Sequence, residues 1–221
     1  MEVAVLGPVE VKLDGRTVDL GTPKQRALVA SLALSGGRPV SVDTIVDLLW
    51  GDAAPPGVNT TLQAYVSGLR RVIEPDRERR APATVLVTVA PGYALRVGDD
   101  ALDARVFESA VRARQRALQS LLPIGRPAVG HDVLAEAVSG LDEALALWRG
   151  TPYGELEDAP QAVAERARLE ELRLVALEHR MLADLALGHH GTVAAELEAL
   201  TAASSALSRD LPMPGSPVST A

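Results

Sequence analysis

The segment Gly57 to Ile73, Gly-Val-Asn-Thr-Thr-Leu-Gln-Ala-Tyr-Val-Ser-Gly-Leu-Arg-Arg-Val-Ile, constrains the fold more than any other part of the chain. At helical spacing Leu62, Tyr65, Val66, Leu69, Val72 and Ile73 fall on one face, a stripe that must be buried. The opposite face carries Thr60, Gln63, Ala64, Ser67 and Arg71, with Arg70 at its edge and no acidic residue before Glu74. Small, hydroxyl and amide groups fit base edges, and guanidiniums reach phosphate or guanine. The bland alternative is a solvated surface helix, the commoner fate of an amphipathic helix with two arginines. The order of elements around the segment decides between them.

Before it, Val3 to Leu6, Val9 to Leu13 and Thr17 to Leu20 read as short strands, punctuated by Gly7-Pro8 and Asp14-Gly15. Thr22-Pro23 opens a helix that runs from Lys24 to Ser35 and stops at Gly36-Gly37. Ser41 caps a second helix, Val42 to Trp50, and Asp52 to Gly57 forms a proline-stiffened loop. After the third helix, Val85 to Val89 and Tyr93 to Val97 predict a hairpin around Ala90-Pro91-Gly92. Strands, three helices and a hairpin make a winged helix-turn-helix, complete by residue 98.

Charge is distributed in keeping with that reading. The net charge of -7 is uneven: residues 1–98 sum to +1 and residues 99–221 to -8. An acidic second half does not exclude nucleic acid, because affinity depends on local neutralisation of phosphate. Lys12 and Lys24 are the only lysines, so cationic contacts would fall almost entirely to arginine, which bonds bidentately. Arg77, Arg79 and Arg80 could reach phosphate but are interleaved with Glu74, Asp76 and Glu78. The chain has no Cys, no leader pattern, and no apolar run of the roughly 18 residues that a membrane span needs. A cytoplasmic protein without membrane contact or cofactor is expected.

Beyond Gly98-Asp99-Asp100 the texture becomes Ala/Leu/Glu/Arg-rich. Leu102 to Leu122, Val133 to Trp148, Ala162 to Leu187 and Thr192 to Leu207 predict helices, with Pro123, Gly125, Pro127, Gly130 and Gly150-Thr151-Pro152 marking the loops. Stacked antiparallel helices of this kind suggest a tetratricopeptide-like array. The resulting division is a winged-helix domain over 1–98, an all-α domain over 99–210, and a disordered tail over 211–221 rich in proline.

Several short stretches, taken in order and spacing, resemble SARP transcription activators, which join an OmpR-type winged helix to a bacterial transcriptional activator domain. They are Leu6 to Val9, Gly21 to Leu28, Leu48 to Gly51, Leu62 to Arg71 and Pro91 to Tyr93, followed by Leu147 to Gly150, Glu165 to Leu169 and Glu171 to Arg173. The resemblance implies a pathway-specific activator of a secondary-metabolite cluster that binds tandem repeats in double-stranded DNA near the -35 region, as a homodimer, and recruits RNA polymerase holoenzyme. Mapped onto this sequence, the recognition helix is Asn59 to Ile73, with Thr60, Gln63, Ser67, Arg70 and Arg71 facing DNA. Thr88 and Tyr93 belong to the wing. Asp52, Pro55 and Pro56, in the loop between the second and third helices, correspond to polymerase contacts.

Three departures from the family pattern stand out. Gly68 sits inside the recognition helix, Ala94 replaces a basic or polar wing residue, and the final helices of the activator domain are not evident after Leu200. The absence of a receiver pattern before the winged helix argues against control by aspartyl phosphorylation in cis. Two other function classes compete. An enzyme finds little support: the chain has no Ser/His/Asp arrangement or phosphate-binding Gly-Lys-Ser/Thr loop, Glu165, Glu170 and Glu171 read as solvated helix faces, and His189-His190 reads as a helix-end surface pair. The stronger competitor is a partner-dependent interaction module, with Trp148 and Tyr153 as anchors, although core packing is the commoner fate of such a Trp. A repressor would bind DNA through the same helix.

Overall fold

The computed structural model describes residues 1–78, 80–118 and 130–209. Arg79, the loop residues Pro123, Gly125 and Pro127, and the tail 211–221 expected to be disordered lie outside the described residues. The chain opens with a three-stranded antiparallel sheet, β1 (Glu2–Ala4), β2 (Glu10–Leu13) and β3 (Arg16–Thr17). The third strand is shorter than its apolar pattern predicts. Only Lys12 with Thr17 and Leu13 with Arg16 pair, and Val18 then adds one further bond to Val11.

Helix α1 (Pro23–Leu34) starts at a reciprocal capping box, in which Thr22 accepts from the Gln25 amide and Gln25 accepts from the Thr22 amide. It is buried along most of its length, from Ala27 to Ala33, and forms the centre of the domain. Strand β4 (Val40–Ser41) leads into α2 (Val42–Trp50), capped by the Ser41 hydroxyl accepting from Thr44 at 3.1 Å. A single turn of 3-10 helix (Gly51–Ala53) precedes α3 (Val58–Ile73). The hairpin β5 (Leu86–Val89) and β6 (Gly92–Leu95) follows, and β4 pairs with β6 to complete a second sheet in the order β4-β6-β5. Two residues are too few to give β4 a pattern, so only the paired structure reveals it.

Among the described residues the second half holds four α-helices, α4 (Asp103–Leu118), α5 (His131–Leu145), α6 (Pro160–Ala186) and α7 (His190–Arg209). Helices α4, α5 and α6 pack on one another around Phe107, Leu141 and Leu169, all fully buried, and α7 lies against α6. Trp148 and Phe107 meet edge to face, with 5.5 Å between centroids, and the Arg173 guanidinium lies over the Trp148 ring at 4.8 Å. Across the second helix pair, Arg180 is buried on α6 and meets Asp142 at 3.4 Å, Asp184 at 3.5 Å and Glu196 of α7. Buried charge of this kind persists only when matched, and three helices supply the match.

The halves share one continuous core. The Asp103 carboxylate accepts hydrogen bonds from the backbone amides of Val5 (2.8 Å) and Leu6 (3.0 Å). Arg149 donates its amide to the Leu6 carbonyl at 2.7 Å and extends its guanidinium to Glu10 at 2.9 Å. Tyr153 donates its amide to Val5, and Glu155 accepts from the Val9 amide, both at 2.9 Å. Helix α1 packs against the 154–156 turn. Tyr153 is 2% exposed in this junction, which corrects its reading as a partner anchor: its ring already has an intramolecular site.

Gly7 is the tightest point of this contact. Its φ of +146° lies where side chains are rarely found, and a Cβ there would sit 2.9 Å from the backbone of Arg149 and Gly150. Gly7→Ala is therefore expected to destabilise the whole chain by roughly 1–3 kcal/mol. The check is a lowered urea midpoint at unchanged slope, read from both halves together.

Candidate nucleic-acid interface

Helix α3 buries Leu62, Val66, Leu69 and Ile73, with Tyr65 and Val72 half-covered, as its period demands. The other side presents Asn59, Thr60, Gln63, Ala64, Ser67 and Arg71 to solvent. Arg71 makes no hydrogen bond or ion pair among the described residues, so its guanidinium is available for a ligand. Both basic residues of the helix lie in its last turn, where the helix dipole favours cations.

Arg70 was expected beside Arg71 on the DNA face, and the structure corrects this. Its Nε donates to the Leu86 carbonyl at 2.7 Å, a terminal nitrogen donates to the Thr88 hydroxyl at 2.8 Å, and the guanidinium lies 5.9 Å from the Tyr93 ring centroid. Burial pulls its pKa below the ordinary arginine value, with Tyr93 and Glu74 opposing that shift. Arg70 thereby fastens α3 to the hairpin. Tyr93 is the second correction: it is 8% exposed, in register with Val40 on one side and Thr88 on the other, and packs into the core instead of facing outward. Ala94 is 1% exposed, so the position read as a wing contact is interior. Thr88 does face solvent, next to the exposed tip at Ala90 and Pro91.

A second fastening is invisible in the local pattern. Glu74, the C-cap of α3, accepts from the Thr84 amide (2.6 Å), the Thr84 hydroxyl (2.8 Å) and the Val85 amide (3.0 Å). The contact arises only because the hairpin folds back along α3. Burial alone would raise the Glu74 pKa, but these hydrogen bonds outweigh it and hold the group below the usual carboxylate value. Arg77 turns inward to the Ala81 carbonyl at 2.7 Å, whereas Arg80 is exposed.

Midway along α3, Tyr65 stacks on Trp50 with centroids 5.9 Å apart and planes 8° from parallel. Lys24 lies 5.1 Å from the Trp50 centroid and donates to the Leu49 carbonyl. This stack ties the end of α2, where the 51–57 loop begins, to the middle of α3. Asp52, Pro55 and Pro56 are left fully outside. Thr60, Gln63, Ser67, Arg71 and Thr88 are all exposed, and the loop runs directly into this helix, its Gly57 carbonyl accepting the Thr60 amide at 2.9 Å.

Gly68 does not face this region alone: a Cβ there would touch only Gln25 Nε2 of α1, at 3.4 Å. Gly68→Ala should therefore stabilise the chain by up to about 1 kcal/mol, read as a rise in Tm. The lowered Glu74 pKa sets a pH signature with a definite sign. The charged carboxylate favours the folded state above the ordinary glutamate value, about 4.3, and that advantage is lost as pH falls through the lower folded value. Urea titrations should show wild type more stable than Glu74→Gln at neutral pH, the difference closing only in acid.

Among the described residues no helix is long and apolar enough to cross a membrane. Residues 15–95 match the family model "Transcriptional regulatory protein, C terminal", and residues 102–207 match "Bacterial transcriptional activator domain". The regulatory protein DnrI of Streptomyces peucetius is 36% identical over 205 residues, covering 91% of this chain and 71% of that protein. The transcriptional regulatory protein EmbR of Mycobacterium tuberculosis is 33% identical, with 91% of this chain and 48% of that protein aligned. The regulatory protein AfsR of Streptomyces coelicolor is 37% identical over 92% of this chain and 18% of its own length. A solved structure, EmbR of M. tuberculosis in complex with a low affinity phosphopeptide, superposes with a TM-score of 0.75 at 30% identity, covering 92% of this chain and 50% of that one. The chain spans about half the length of EmbR. All three relatives bear the names of regulatory proteins, and the aligned spans cover 91–92% of this chain. The chain belongs to the SARP family of transcriptional regulators, an OmpR-type winged helix-turn-helix joined to a bacterial transcriptional activator domain.

Proposed function

We propose that this chain acts in the cytoplasm as a pathway-specific activator of a secondary-metabolite, antibiotic-type gene cluster, binding tandem repeats near the -35 region as a homodimer and recruiting RNA polymerase. The observation that carries the reading is the outer face of α3. It bears hydroxyl, amide and guanidinium groups and no carboxylate, in a chain whose net charge is -7. Such a face meets phosphate without repulsion, while Arg71 offers paired donors, and Gln63 a donor and an acceptor, to base edges. The exposed Asp52, Pro55 and Pro56, on the loop that leaves α2 beside the Trp50–Tyr65 stack, support a protein contact for polymerase.

An interaction module is the second reading. It is favoured by Leu174, 67% exposed on α6, and Leu197, 50% exposed on α7, which leave apolar surface for a protein partner.

The test is selection of bound fragments from the source genome by the purified protein at near-physiological salt. Tandem repeats spaced by about 10–10.5 bp upstream of a biosynthetic operon are the expected result. No enrichment, from protein shown to be folded, would favour the interaction module. On an enriched site, Arg71→Ala should weaken binding by roughly 1–3 kcal/mol and relax preference at one base position. A uniform loss on all sequences, with a shallower salt dependence, would instead assign Arg71 to phosphate.

A further inference from the structure

The domain junction is built more firmly than covalent linkage of two independent modules requires. Three parts of the winged helix take part: the β1–β2 turn through Val5, Leu6 and Val9, strand β2 through Glu10, and α1 through Arg26. Three parts of the helical domain answer them: Asp103 at the start of α4, Arg149 after α5, and the Tyr153–Glu155 turn. A bridge between Val3 and Leu102 adds a further point. Contacts distributed over three segments on each side leave no single axis about which the halves could turn. Helix α1 then transmits the placement, because it packs on the 154–156 turn as well as on α2 and α3.

Two side chains organise this contact. The Asp103 side chain is 9% exposed, holds the two amides of the β1–β2 turn, and faces Arg149 at 3.8 Å. Arg149 spans from Asp103 to Glu10 and also caps the Leu6 carbonyl with its own amide. Neither residue belongs to α3, to the wing or to the 51–57 loop.

We propose that Asp103 and Arg149 are positioning residues for paired DNA binding: by locking the helical domain onto the β1–β2 turn, they hold each recognition helix at one angle to the neighbouring protomer, so that occupancy of two repeats depends on their spacing. The inference rests on the reading that the chain binds tandem DNA repeats. Its physical basis is the helical repeat of DNA. Two sites about 10–10.5 bp apart lie on the same face, and insertion of about 5 bp moves one to the opposite face. Protomers with flexible domain linkage could follow that rotation while their helical domains stayed in contact. Protomers locked at the junction cannot.

The experiment uses the whole 221-residue chain and compares wild type with Asp103→Asn and Arg149→Gln. Binding is measured to one repeat, to two repeats in phase, and to two repeats with 5 bp inserted. Hydrogen exchange at the Val5, Leu6 and Tyr153 amides reports whether the junction has opened. Wild type should prefer the in-phase pair by about ten-fold or more, within the usual span of coupling between sites. Both variants should lose protection at the three amides, bind a single repeat within about two-fold of wild type, and lose most of the in-phase preference. A junction that opens while the phase preference stays would overturn the proposal, as would amides that remain protected in both variants. If either variant fails to fold, Arg149→Lys, which keeps the charge toward Glu10 and loses the planar fork, takes its place under the same criteria. Failure of wild type to bind even a single repeat would remove the DNA reading itself, an outcome distinct from loss of phase preference alone.

Discussion

A desolvated carboxylate joins the two halves of this protein. Asp103 stands at the first turn of α4 with nearly all of its side chain covered, and burial pushes its pKa above the ordinary carboxylate value against the hydrogen bonds that oppose it. A group in that position is a poor source of net stability, because desolvation offsets much of what its partners return. Its value is geometric. Two adjacent backbone amides and one guanidinium can be satisfied together in only one arrangement, and an unsatisfied carboxylate at that depth is expensive. The helical domain is thereby set against the β1–β2 turn, α1 against the helical domain, and α3 against α1.

Helix α3 is held by the same logic on a smaller scale. Arg70 and Glu74 are four residues apart on α3 and both point at the hairpin. Arg70 takes the Leu86 carbonyl and the Thr88 hydroxyl, while Glu74 takes the amides of Thr84 and Val85. Backbone groups that no strand pairs are satisfied by side chains of the neighbouring helix. An arginine expected on the DNA face is thus used, together with Glu74, to orient the helix against the hairpin. Arg71, one residue further around the helix, keeps its guanidinium outside. The division follows from helical geometry, since neighbours in sequence are separated by about 100° around the axis.

Much of the architecture was legible in the chain because it depends on local rules. Thr22, Pro23 and Gln25 announce the start of α1 and form the capping box that such a pattern specifies. The apolar stripe of α3 and its outward Thr60, Gln63 and Ser67 fall where period 3.6 puts them. The long helices after residue 102 follow from composition and spacing, with ends displaced by a few residues at most where they are described. The resemblance that named the SARP family rested on these same stretches in order. What could not be read was any property that depends on two distant segments meeting. Strand β4 is two residues long and exists only because β6 lies beside it. Tyr93, Ala94 and Tyr153 look like surface candidates until the second sheet and the domain junction cover them.

The sequence by itself determined the order of the helices and the hairpin, the buried stripe of α3 and the change to long helices after residue 102, because periodicity, capping and turn chemistry act within a few residues. Tertiary structure alone decided which charged side chains remain free. Arg70 and Arg71 are chemically identical and adjacent, yet one is bonded to the wing and the other faces solvent. Asp103 and Asp100 sit three residues apart, and only Asp103 meets the amides of Val5 and Leu6. The physical reason is common to both pairs: hydrogen bonds and desolvation depend on position in three dimensions, and partners 16 or 98 residues away in the chain leave no local trace.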